Sequence, residues 1–272
     1  MSATASAPSP APYRTPRTLR RALTVVAAVV ALLLVAQGAI SILQVATRHT
    51  TTEVDTYTGV RALVIEDDSD IRLTSGPPGS PIEVRAKVSE SLTAPERRVR
   101  RDGGVLRLSS SCSPGFFASF CSVDYDIRVP AGTAIRARTS AGDVVAQDLR
   151  SSVPVELHSS AGDITVIGAT TPSLRLSTSA GDVRASGIRA DDVVGDTSAG
   201  DIRLSLLGLA ETVDARSSAG DVHLVVPDAI YRVETTTNAG TVDDQEIRTS
   251  PNASRTIRAV TSAGDIRIEA RP

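Results

Sequence analysis

From about residue 59 onward, apolar and polar residues alternate in short runs, and the alternation recurs along the chain. Aligned on Gly142, Gly162, Gly181, Gly200, Gly220, Gly240 and Gly264, the steps are 20, 19, 19, 20, 20 and 24 residues. Seven residues before each Gly stand Ile135, Val155, Leu174, Val193, Val213, Val233 and Ile257. Five before it stand Ala137, Leu157, Leu176, Gly195, Ala215, Thr235 and Ala259. Two after it stand Val144, Ile164, Val183, Ile202, Val222, Val242 and Ile266, and four after it stand Ala146, Val166, Ala185, Leu204, Leu224, Asp244 and Ile268. A spacing of two is the signature of a strand with one face buried. Each repeat therefore predicts two short strands with a corner between them. A third apolar point, seven after the Gly, appears as Leu149, Ile188 and Leu207 and predicts a coil with three sides.

One such coil cannot bury its apolar row alone, whereas stacked coils share a continuous core. The expected fold is all-β: a β-solenoid, parallel β-helix-like, of about seven to ten coils of ~20 residues. Columns of Val, Ile, Leu and Ala would fill a narrow core, which suits a chain with 3% aromatics and no Trp. A meander of antiparallel hairpins turning at Ala-Gly is the alternative architecture.

The corner itself is a repeated word. TSAGDV at Thr139–Val144 returns as SSAGDI at Ser159, TSAGDV at Thr178, TSAGDI at Thr197, SSAGDV at Ser217 and TSAGDI at Thr261, with TNAGTV at Thr237. The structural corners are thus Gly142 and Asp143, Gly162 and Asp163, Gly181 and Asp182, Gly200 and Asp201, Gly220 and Asp221, and Gly264 and Asp265. Gly allows a tight bend, and Ser and Asp accept hydrogen bonds from turn backbone. A column of Asp also places like charges close together. Calcium could offset the repulsion, but it takes several oxygen ligands and each word supplies one carboxylate. Arg184, Arg203 and Arg267, two residues after their Asp, could offset it instead, and so could backbone N–H donors to the carboxylates. No metal or cofactor is expected. The Ser/Thr column three before each Gly suggests either a ligand-binding hydroxyl face for ice or carbohydrate, or self-pairing within the stack.

The N-terminus has a different character. Residues 1–21 carry Arg14, Arg17, Arg20 and Arg21 without an acid and are expected to be a disordered cytoplasmic tail. Ala22–Ala46 holds 25 residues without a charge, enough for a transmembrane anchor. The positive-inside rule puts the tail in the cytoplasm and the bulk of the chain outside. A cleaved signal peptide is the alternative. Residues 47–58 are expected as a linker and 59–272 as the extracytoplasmic domain. The net charge of −2 gives no reason to expect nucleic acid as a partner.

Cys112 and Cys121 bracket SPGFFASF in the exported region, where a disulfide is expected, with two free thiols as the alternative. All three Phe of the chain, Phe116, Phe117 and Phe120, lie between them. They either plug the end of the core or form an apolar tip that contacts a partner or the outer membrane leaflet. EDDSDIRL, at Glu66–Leu73, reads as a degenerate corner, and the charged C-terminal IRIEARP is expected to blunt the last edge. His49, His158 and His223 form no spaced pair. The adjacent pairs Asp191–Asp192 and Asp243–Asp244 are not spaced as an acid and base, so no enzyme is expected.

The run YDIRVPAGTAIRARTSAGDV, with Val129, Pro130 and Gly132 leading into serial S-x-G-D corners, resembles a bacterial β-strand-repeat family of unknown function regarded as adhesin-like. The resemblance spans roughly residues 59–270. It implies an exported β-solenoid behind a membrane anchor and supplies no catalytic or binding residues. The function expected is a membrane-anchored binding or scaffold module at the cell envelope, with an envelope glycan or another surface protein as partner. An envelope-sensing module is the alternative, and a polysaccharide-active β-helix enzyme a further one.

Overall fold

The computed structural model describes residues 17–46, 49–90, 95–111 and 121–271. The chain divides into two units, residues 1–47 and 48–272. The first contains helix α1, Arg17–Ala46. It starts inside the segment expected to be irregular. Its described side chains, residues 25–39, are all exposed. Among the described residues no helix is long and apolar enough to cross a membrane.

The second unit is built of strands. They begin with β1 His49–Tyr57, β2 Ala62–Asp67, β3 Ile71–Gly76, β4 Ile82–Glu90, β5 Glu96–Asp102, β6 Val105–Ser111 and β7 Ser122–Pro130. Each repeat then supplies a pair: β8 Ala134–Thr139 and β9 Val144–Arg150, β10 Val155–Ala161 and β11 Ile164–Thr170, β12 Ser173–Ala180 and β13 Val183–Arg189. These are followed by β14 Asp192–Ala199 and β15 Ile202–Leu206, then β16 Thr212–Ala219 and β17 Val222–Pro227. The chain ends with β18 Ile230–Ala239, β19 Val242–Asp243, β20 Arg248–Thr249, β21 Thr256–Ala263 and β22 Ile266–Arg271.

The strands form two 11-stranded sheets. Successive repeats pair in parallel, β8 with β10 and β9 with β11, and so on along the stack. The two strands of one repeat lie in opposite sheets, so the Ala-Gly corner crosses between sheets. This excludes the antiparallel meander. The four apolar columns hold their register: Val155 lies between Ile135 and Leu174, and Ile164 between Val144 and Val183. Most of these side chains are fully buried between the sheets. Removing such apolar area from water is the main stabilisation, at about 25 cal/mol per Å².

The coil has two sides, not three. Leu149 and Ile188 are buried, but they belong to the same strands as Val144 and Val183. Two consecutive outward residues, Gln147 and Asp148, precede Leu149. The backbone at Asp148, Gly168 and Gly187 has φ of 51°, 74° and 72°. A stacked bulge therefore turns the next side chain inward again. Strand β15 omits the extra residue, so Leu206 pairs with Ile188 while Leu207 is exposed.

Both ends of the stack depart from chain order. The coil of β2 and β3 lies between that of β6 and β7 and that of β8 and β9. At the other end, β21 and β22 lie between the coil of β16 and β17 and that of β18 and β19. The C-terminal strand is thus an interior strand, not the edge expected from its charges. The outer coil carries the weakened word TNAGTV, and its Val242 is 40% exposed. The segment expected as a linker contains β1, antiparallel to β4, which in turn is antiparallel to β7. Across the end of the stack, Arg97 of β5 hydrogen-bonds Glu53 and, at 3.0 Å, Asp55 of β1.

Candidate functional site

The repeated corner spends each of its letters on the neighbouring coil. The Ser/Thr hydroxyl donates to a corner carbonyl one coil away: Ser159 to Gly142, Thr178 to Gly162, Thr197 to Gly181 and Ser217 to Gly200, all at 2.9–3.0 Å. These hydroxyls are buried, at 0–5% exposure for Thr139, Ser159, Thr178, Thr197, Ser217 and Thr261. A ladder so enclosed cannot face ice or a carbohydrate. Of the two readings of that column, the geometry supports bonding within the stack. The Ala carbonyl accepts from the Gly N–H of the preceding coil, as Gly181 N–H to Ala199 O at 2.9 Å.

Gly is required by close approach. A Cβ added to Gly200 would stand 2.0 Å from the Gly181 carbonyl oxygen, and one on Gly181 2.3 Å from that of Gly162. The same holds at Gly162, Gly220, Gly240 and Gly264 against the Gly one coil away.

The Asp completes the set. Its Oδ1 accepts the backbone N–H of the Asp in the following coil. The chain of bonds runs Asp143 N–H to Asp70, Asp163 to Asp143, Asp182 to Asp163, Asp201 to Asp182, Asp221 to Asp201 and Asp265 to Asp221, at 2.7–2.9 Å. It ends where Thr241 N–H donates to Asp265 at 2.7 Å. Like charges in one column repel, and N–H donors offset that by favouring the ionised form. The N–H of Asp182, then the Arg184 guanidinium, hold the Asp163 carboxyl below the usual range. Arg184 bridges Asp163 and Asp182, and Arg203 pairs with Asp201. Arg267 does not share this work. It pairs with Glu269 on its own strand. Among the described residues no three His, Cys, Asp or Glu side chains are grouped to hold a metal ion.

One member of the buried column breaks the rule. Asp67 stands opposite Thr139, in the hydroxyl's place, and is 5% exposed. Its Oδ1 accepts from the Ser110 hydroxyl, while Oδ2 has no hydrogen-bond partner among the described residues. Burial pushes its carboxyl up to about 6. Burial likewise pushes the nearby Tyr125 hydroxyl up to about 12. Sequence reasoning missed Asp67, although EDDSD stands where a repeat would carry Ser or Thr.

Strands β6 and β7, which flank residues 112–120, belong to the outermost parallel coil. Cys112, Phe116, Phe117 and Phe120 lie outside the described residues, so the expected disulfide and the plug-or-tip alternatives stay as expectations. Cys121 is described, just before β7. Asp191 precedes the first residue of β14, Asp192, and Asp243 ends β19 at the far end of the stack.

Two sheets built mainly of stacked parallel strands, joined by recurring corners, define a repeat protein whose inner face is devoted to its own assembly. The chain belongs to the Toastrack DUF4097 family, whose profile matches residues 60–269. Among solved structures it is similar to a "putative adhesin" from Bacteroides fragilis NCTC 9343, at 16% identity, covering 82% of this chain and 97% of that one with a TM-score of 0.45. A "putative adhesin" from Parabacteroides merdae ATCC 43184 matches at 15% identity, 82% and 96% coverage and a TM-score of 0.41. A "putative lipid binding protein" from Parabacteroides distasonis ATCC 8503 matches at 13% identity, 82% and 95% coverage and 0.40. No curated protein matches the chain.

Proposed function

We propose that the chain is a membrane-anchored, adhesin-like binding or scaffold module whose β-domain stands outside the cytoplasm. The observation that carries the binding reading is the division of labour in the coil. The corner's polar groups and the inward side chains are committed to coil–coil bonds and core. What varies from coil to coil is the outer face of each sheet, where successive strands present Arg136, Glu156 and Arg175, or Thr165, Arg184 and Arg203. A rigid face of this kind suits recognition by side chains at fixed spacing.

Anchoring is supported by the sequence. The 25 uncharged residues 22–46 follow four Arg and lie within α1. Its side chains at residues 25–39 are exposed and, Gln37 apart, not polar, and such a stretch calls for a nonpolar surround. The test is fractionation of cells making the full chain, with protease added to intact spheroplasts. Membrane recovery and digestion of the β-domain from outside are expected, with release into the soluble fraction by Val29→Arg/Leu33→Arg. Recovery of the unaltered chain as a protease-protected soluble protein would contradict the reading. The sensing alternative predicts a cytoplasmic protein captured by residues 1–21, whereas a binding module needs none.

A further inference from the structure

All 31 acidic residues and all but five of the 29 basic ones follow Arg48, so the residues after it carry a net charge of −7. Against that balance, one face is basic. Arg98, Arg100, Arg107, Arg136, Arg138 and Arg175 are all exposed, on strands β5, β6, β8 and β12. On β6, β8 and β12 the neighbours Leu106, Leu108, Ala137 and Leu174 are buried, and register sets Arg98 and Arg100 of β5 beside Ser109 and Arg107, so the six share the outer side of one sheet.

Register sets them in two rows running along the stack. In the first, Arg100 faces Arg107, then come Val64, Arg136, Glu156 and Arg175. In the second, Arg98 is followed by Ser109, Glu66, Arg138, His158 and Ser177. Arg98 pairs with Glu96 and Arg136 with Glu156. Among the described residues, Arg100, Arg107, Arg138 and Arg175 have no ion-pair partner. Glu156 is one carboxylate among three guanidiniums: hydrogen bonding to Arg136 holds it low, with Arg138 and Arg175 adding to the effect.

The unpaired guanidiniums Arg107, Arg138 and Arg175 recur on every second strand, about 10 Å apart across the strands at a strand spacing of about 4.8 Å, with Arg138 set two residues along from the row of the other two. Between Arg138 and Arg175 lies a cleft of about 280 Å³ lined by Arg136, Arg138, Glu156, His158, Arg175 and Ser177. We propose that this face binds a linear carboxylated glycan, its chain running across the strands with carboxylates on Arg107, Arg138 and Arg175. Guanidiniums pair with carboxylates through planar, two-pronged hydrogen bonds. His158 and Ser177, already hydrogen-bonded to each other at 2.9 Å, offer the polar edge that sugar hydroxyls need. A bilayer surface fits less well. Interfacial binding draws on apolar insertion, and of the side chains between these Arg only Val64 is apolar. The proposal gives a ligand class to the binding module proposed above and rests on that reading.

The test uses the full chain in detergent micelles, with polygalacturonate as probe, neutral dextran as control, and phosphatidylglycerol vesicles as the competing surface. Polygalacturonate binding that weakens with salt is expected, with no dextran binding. Arg138→Gln/Arg175→Gln should weaken it by about tenfold or more. Arg150→Gln/Arg189→Gln, an equal charge change on the other sheet, should leave it within about twofold. Thermal melting, unchanged in both pairs, shows that each variant folds. Equal weakening in both pairs, no polygalacturonate binding, or a preference for the vesicles would overturn the proposal. Membrane recovery in the fractionation experiment is independent of these Arg, so failure here leaves the anchored reading standing.

Discussion

The backbone N–H of Asp182 donates to Oδ1 of Asp163 at 2.8 Å, one coil away. This bond recurs from Asp70 to Thr241 and makes the carboxylate of each word an acceptor for the next one. Asp163→Ala should cost about 1–3 kcal/mol, the penalty of leaving a corner N–H unpaired and taking from Arg184 one of its two carboxylates. Asp163→Asn keeps an oxygen acceptor and should cost less. Chemical denaturation of the two variants checks this. The sign of the pH effect follows. A carboxyl held below its ordinary value stabilises the fold above the unfolded pKa of about 3.9. That contribution is lost as pH falls through the depressed folded value.

Gly200 and the Gly181 carbonyl leave no room for a methyl group. Gly200→Ala would need a Cβ 2.0 Å from that oxygen and φ near 150° on a non-Gly residue. A loss on the order of 3 kcal/mol or more is expected. Gly38→Ala, where a Cβ would meet nothing within 4 Å, should change the melting of the β-domain by nothing measurable.

Asp67 works in the opposite sense to Asp163. Its carboxyl is pushed up to about 6 by burial. A raised acid favours the fold while it is protonated in the folded state. Stability should therefore fall as pH rises from about 4 to about 6, by up to about 3 kcal/mol from this group. Asp67→Thr restores the column hydroxyl. It should raise the melting temperature at pH 7 and remove this fall. Denaturation midpoints across that window measure both.

Much of this fold was legible because its columns are set by residues at fixed spacing from one Gly. Ile135, Val155 and Leu174 share a column in sequence and in structure. The order of coils was not legible, because every coil carries the same ladder groups and periodicity cannot say which neighbour it joins. The degenerate word was the available signal. Thr241 ends the carboxylate ladder, and Asp244 puts a charge where other coils place Ala, Val, Ile or Leu. Both suit an outermost coil. The two-sided coil was missed because a bulge keeps Leu149 inward at odd spacing. The Arg face was missed because its members come from strands far apart in sequence, β5 to β12.

That end coil also predicts an association. Thr241→Asp/Asp244→Leu would give the outer coil a free carboxylate acceptor and an exposed apolar column. An open strand edge with these features invites edge-to-edge pairing. Light scattering should show self-association of the double variant at concentrations where the unaltered chain shows none.

The claim that the corner letters bond coil to coil is tested most directly by hydrogen exchange of single amides. In Asp163→Ala, the amide of Asp182 should exchange much faster, because it loses its acceptor. The amide of residue 163 itself should stay protected, since Asp143 still holds it at 2.8 Å. Unchanged protection at Asp182, or loss of protection at residue 163 alone, would contradict the account.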